Sequence, residues 1–268
     1  MRHIWLALAV LFCGTARGVV PSYSAIGIVT TGSYAAGPFA PNSLITIFGS
    51  GLARSAQTAT AADIVDHKLP AELNSTRVYI DNGAAPLLYV SESQINLLIP
   101  AKQAFGAAAI WVMSEGQRGP EVTIQVVDAA PALFVAASGY AIATHADNSL
   151  ISPEQPAKPG EVIVIYAAGL GKTETLPAAG ELAPYASPLV NRSGLRVTLN
   201  GTAVDPERIL YGGLTPGSAG LYQVNVALPA SVGVDPELRI FVADAGSPAG
   251  VKLALRGTAA QLYGRLRR

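Results

Sequence analysis

Residue types able to do covalent chemistry are scarce in this chain. Beyond the first 18 positions only two histidines remain, His67 and His145, and the single cysteine, Cys13, lies before them. No Gly-x-Ser-x-Gly elbow, His-x-x-x-His pair or cysteine cluster is written in it, so neither an activated serine nor a zinc site has its usual spacing. His145 and Asp147 in "THADNS" could join a distant serine as a triad, but the same residues read as a polar turn. His67 stands near Asp63 and Asp66 in "DIVDHKLP". One imidazole and two carboxylates at irregular spacing describe a solvated loop better than a metal site. The sequence therefore predicts no catalytic residue, no metal ligand and no cofactor.

Residues that could bind are easier to find. The phrase "SQINLLIPA", Ser93 to Ala101, returns as "YQVNVALPA", Tyr222 to Ala230. Gln94 and Asn96, and again Gln223 and Asn225, are the candidate ligand-binding residues, because a primary amide both donates and accepts and can hold sugar hydroxyls. Sugar sites usually add an aromatic platform, and after residue 18 the only tryptophan is Trp111. The competing reading is that the amides are buried, bond loop backbone, and recur because two related modules need the same strand end. Tyr89, Tyr166, Tyr211 and Tyr222, all at strand positions, are the other candidate surface feature, a binding stripe; the competing reading leaves each half-buried, with its ring in the core and its hydroxyl tied to backbone.

Both phrases alternate with a period of two. Ile95, Leu97 and Ile99 face one side and Gln94 and Asn96 the other, with Val224, Val226 and Leu228 repeating this against Gln223 and Asn225. Pro100 and Pro229 cannot donate to a ladder, so each strand should stop before them. Further matches follow in the same order, as a duplication requires. "PNSLITIFGSGLA" from Pro41 aligns with "PGEVIVIYAAGLG" from Pro159. Leu44, Thr46 and Phe48 alternate with Ile45 and Ile47, so this strand is either central or presents its outer face to the neighbouring module. Gly51 and Gly169 suggest bends of positive φ. Hairpin turns are expected at Asn82-Gly83, Asn200-Gly201, Glu115-Gly116 and Ala245-Gly246. The second copy is longer mainly through Lys172 to Ser193, read as an extended loop. A short linker near Asp128 to Pro131 restrains the two modules.

Half of the 268 residues are apolar, only 13% are charged, and Gly and Pro number 27 and 19. That composition argues against disorder and suits short buried strands joined by tight turns. Net charge is zero, which gives no electrostatic footprint for nucleic acid. Met1, Arg2 and His3 precede an apolar run from Ile4 to Phe12, with small residues at Ala16 to Gly18, the pattern of an export signal. The run is too short to span a bilayer, which takes about 20 residues, and the mature chain shows no other candidate transmembrane segment. The expected layout is a signal peptide over 1–18, a first sandwich over 19–129, a second over 130–256 and a basic tail over 257–268.

"FAPNSLITIFGSGLA" and "APLLYVSESQINLLIPA" in the first half, and "QPAKPGEVIVIYAAGLG" and "RILYGGLTPGSAGLYQVNVALPA" in the second, resemble the uncharacterised C-terminal domains of secreted proteins from soil Acidobacteria such as Solibacter. More distantly they resemble immunoglobulin-like IPT/TIG modules. The resemblance implies an all-β protein of two tandem immunoglobulin-like β-sandwiches at the cell exterior, or in the periplasm, with no catalytic residues to transfer. The expected function is a secreted non-enzymatic binding, adhesion or scaffold protein whose partner is a protein or polysaccharide outside the cell. An extracellular carbohydrate-active or other hydrolase with a carboxylate site, and a plain structural spacer, are the alternatives.

Overall fold

The computed structural model describes residues 18–257. The expected signal peptide over 1–18 and basic tail over 257–268 lie outside the described residues, except for Gly18 and Gly257.

The described chain is all-β, arranged as four antiparallel sheets. In the first half Ser22–Thr30, Leu44–Ser50, Gln94–Leu98, Leu87–Val90 and Gln57–Thr58 form one sheet in that order. Val122–Val126, Gly106–Ser114, Thr76–Ile80 and Gly83–Ala84 form the other. The second half repeats the arrangement. Val162–Ala168, Tyr222–Ala227, Ile209–Leu214 and Ser187–Pro188 take the places of their counterparts, facing a sheet built on Leu195–Leu199 and Leu238–Val242.

Alternation makes each half a sandwich. Ile45, Ile47, Ile95 and Leu97 of one sheet meet Val78, Ile80, Ile110 and Val112 of the other in one dry cluster. Ile163, Ile165, Val224 and Val226 meet Val197, Leu199, Leu238 and Ile240 in a second. Fully burying one such side chain stabilises by about 1.5–3 kcal/mol, so neither core needs a cystine.

The repeated strands end at Leu98 and Ala227, ahead of their prolines. Gly51 and Gly169 have φ of 64° and 71°, as their bends require. Asn200-Gly201 and Glu115-Gly116 form two-residue turns with positive φ at both positions. Two turns differ from expectation. Ile80 pairs with Gly83, so the first hairpin turns on Asp81 and Asn82, with φ of 46° and 68°, and Gly83 already belongs to the returning strand. Val242 pairs with Ala245, so the last turns on Ala243 and Asp244, and Ala245–Gly246 is strand. In both cases cross-strand pairing of the apolar residues sets the register and overrides the preference of the Gly-containing dipeptide.

The halves are fastened together. Leu44, Leu98 and Ala219 form a third cluster, with Leu69, Leu88, Phe134 and Leu182 packed on it, so the outer face of the Leu44 strand does meet the other half. The 172–193 stretch is not loop throughout, since Ser187–Pro188 pairs with the Ile209–Leu214 strand; the part before it acts as a strap, where Leu69 N–H donates to Gly180 at 2.9 Å and Leu182 N–H to His67 at 2.8 Å. Val135 N–H also donates to Gly32 at 3.0 Å.

Candidate functional site

With Ile95, Leu97, Val224 and Val226 turned inward, the amides of both phrases stand on the outer faces of their sheets, half-buried. Within the first phrase Gln94 Nε2 donates to Asn96 Oδ1 at 2.8 Å, and Thr46 Oγ1 donates to the same oxygen at 3.0 Å. In the second, Gln223 Nε2 donates to Asn225 Oδ1 at 3.1 Å. The amides bond each other and a threonine, and do not tie loop backbone as the structural reading expected. Each pair is a short ladder that leaves the Asn Nδ2 and the Gln Oε1 without a protein partner among the described residues.

Register places aromatics beside these amides. Phe48 lies opposite Gln94 on one side, and Tyr89 opposite Asn96 on the other. Tyr166 lies opposite Gln223, and Tyr211 opposite Asn225. Both halves thus carry an aromatic, amide, amide, aromatic array. Tyr34 extends the first array, its ring 5.9 Å from that of Phe48, and these two are 59% and 39% exposed. Tyr211 is fixed in place: its hydroxyl donates to Leu214 at 2.8 Å, burial raises its pKa, and a Cβ at Gly213 would come within 2.6 Å of that hydroxyl. None of these side chains is a carboxylate, ammonium, guanidinium or imidazole. The arrays offer rings and neutral donors and acceptors, which suits an uncharged ligand with apolar faces and many hydroxyls.

Trp111 is not a free platform. It stacks on Tyr79 at 4.1 Å with an interplanar angle of 12°, while Arg118 from the opposite neighbouring hairpin arm sits 4.4 Å over its ring. Tyr222 points into the core and its hydroxyl donates to Gly171 at 2.8 Å.

A recess of about 780 Å³ gathers His145, Asp147, Glu154, Lys158, Glu161 and Arg256. His145 Nδ1 bonds Glu161 Oε1 and Nε2 faces the Gln155 carbonyl at 3.2 Å. The Glu161 carboxylate holds the imidazole above its usual pKa against the opposing effect of burial. Ser149 Oγ donates to Asp147 at 2.6 Å, so this serine is bonded to the acid instead of the base, the reverse of an activated nucleophile. Ser149 holds Asp147, and Ser152 holds Glu154, below the usual carboxylate range, the wrong direction for a general acid. At the other histidine, Asp63 is occupied by Thr60, and His67 contributes its carbonyl to the strap between halves. No cluster of three metal-ligating side chains occurs among the described residues, and no helix there is long and apolar enough to cross a membrane.

No protein-family model matches the chain, and no curated protein does. Among solved structures it is similar to a surface glycan-binding protein from Prevotella bryantii, at 11% identity and a TM-score of 0.27 over 88% of this chain and 42% of that one. It is also similar to SGBP-B of the Bacteroides ovatus mixed-linkage glucan utilization locus, solved with a mixed-linkage heptasaccharide, at 11% identity and a TM-score of 0.32 over 82% and 43% of the chains. Domains 5-6 of the S-layer protein SbsC match at 12% identity and a TM-score of 0.27, over 89% of this chain and 100% of that one. The chain spans less than half the length of the first two, and scores this low fix neither ligand nor partner for it.

Proposed function

We propose that this protein is an exported, non-catalytic carbohydrate-binding protein that holds neutral polysaccharide outside the cell. The observation that carries the reading is the pairing of each amide ladder with two aromatics on neighbouring strands, Phe48 and Tyr89 in one half and Tyr166 and Tyr211 in the other. A sugar ring presents an apolar face to an aromatic and vicinal hydroxyls at its rim. The free Nδ2 donor and Oε1 acceptor of each ladder answer such a hydroxyl pair. A spacer has no use for the same array twice, and the carboxylates of the His145 recess are already bonded as hydrogen-bond acceptors.

A glycan array probed with the exported chain tests this. Binding to neutral glycans, reduced by Gln94→Ala or Gln223→Ala and unaccompanied by hydrolysis products, is the expected result. Silence across neutral glycans, or release of shortened sugars, contradicts it.

A further inference from the structure

We infer that the two amide ladders are halves of one bipartite site, occupied by a single neutral polysaccharide chain that crosses the junction between the sandwiches. This rests on the carbohydrate-binding reading above and adds to it the length of ligand that the protein selects.

Both ladders run to one junction, whose leucines Leu44 and Leu98 are themselves buried under the other half. On the first outer face, Asn96 is followed two residues later by Leu98, and Thr46 is preceded by Leu44; both leucines belong to the junction cluster. On the second face, Gln223 pairs with Tyr166, whose carbonyl accepts from Phe134 N–H at 3.2 Å. Phe134 packs on that same cluster of Leu44 and Leu98. Each ladder therefore ends where the other half begins. With ~3.3 Å per residue along a strand and ~4.8 Å between strands, Asn96 lies about 7 Å from Leu98 and Gln223 about 10 Å from Phe134. With one side-chain packing distance added between Leu98 and Phe134, the ladders stand at most roughly 25 Å apart along this route, the span of an oligosaccharide and not of a single sugar.

The junction is also held still. The strap at Leu69 and Leu182, the Val135 to Gly32 bond and the contact of Asn42 with Tyr222 fix the mutual orientation from several sides. Gly220 brings the second half close: a Cβ there would fall 2.3 Å from Leu98 Cδ1. When two weak sites are fixed at a set distance, the second contact is intramolecular, and the gain can reach about 10²-fold or more. The absence of charge from both arrays makes the occupant a neutral polysaccharide, in preference to a second copy of this chain.

The test is calorimetric titration of the wild-type protein with gluco-, manno- and xylo-oligosaccharides from the disaccharide to the octasaccharide, with light scattering alongside. The expected result is a step in affinity of at least about 10-fold once the ligand spans both ladders. Long members bind one per protein monomer and short members bind two. The double variants Phe48→Ala/Gln94→Ala and Tyr166→Ala/Gln223→Ala should each return the long ligand to the affinity of the short one. Two long oligosaccharides per chain, affinity independent of length, or a ligand-independent dimer would overturn the bipartite site while leaving carbohydrate binding standing or failing on the array. No binding by any member overturns both readings.

Discussion

Asn42 of the first half donates through Nδ2 to the hydroxyl of Tyr222 in the second, at 3.4 Å, and that hydroxyl donates onward to the Gly171 carbonyl at 2.8 Å. Tyr222 is 1% exposed, and burial pushes its pKa up to about 12, so it remains a neutral donor at any ordinary pH. Tyr222→Phe keeps the ring in the core but leaves the Gly171 carbonyl and the Asn42 amide unanswered. The expected cost is about 1–3 kcal/mol, read as a lower urea midpoint with an unchanged slope.

His145 and Glu161 predict how stability varies with pH. The folded-state pKa of His145 lies above its unfolded value, first through the Glu161 hydrogen bond. A raised pKa contributes stability that is fully present below the unfolded value near 6.5 and is lost as pH rises through the folded value. His145→Gln should therefore lower the melting temperature more at pH 5.5 than at pH 8.5. Thermal unfolding at the two pH values checks this, and an equal loss at both contradicts it.

Two substitutions of opposite sign test the turns. Gly169 has φ of 71°, and a Cβ there would meet the Ala130 carbonyl oxygen at 2.2 Å. Gly169→Ala should destabilise by more than the ~1–2 kcal/mol of a left-handed residue alone. Ala243 sits at φ 49° with a Cβ, so Ala243→Gly should stabilise by up to about 1 kcal/mol, the relief of strain being offset by the entropy of Gly in the unfolded chain. Denaturant titration of the two variants gives both signs.

Strand identity and the duplicated order were legible in the sequence, because a period of two and the stops before Pro100 and Pro229 are local signals. The turns were legible only to within a residue. In "IDNG", Asp81, Asn82 and Gly83 all tolerate positive φ, and pairing of Ile80 with Gly83 chooses among them. At Ala243 the pairing of Val242 with Ala245 overrides a local preference altogether. The amides and the tyrosines Tyr89, Tyr166 and Tyr211 were visible as separate candidates, but their pairing, and the part of Phe48, were not. Phe48 meets Gln94, and Tyr211 meets Asn225, through register between strands distant in the chain. The signal that could have found them is the repeat itself: an aromatic stands at the same aligned place in "LITIF" and "VIVIY".

The central claim is that the outer-face amides hold a neutral sugar chain, and side-chain amide NMR during titration with a neutral oligosaccharide that scores on the array tests it most directly. The account predicts that the NH2 resonances of Gln94, Asn96, Gln223 and Asn225 shift together along one saturating curve, while the indole N–H of the Arg118-covered Trp111 stays in place. Shifts confined to Trp111 or to the His145 recess, with the four amides unmoved, would contradict it.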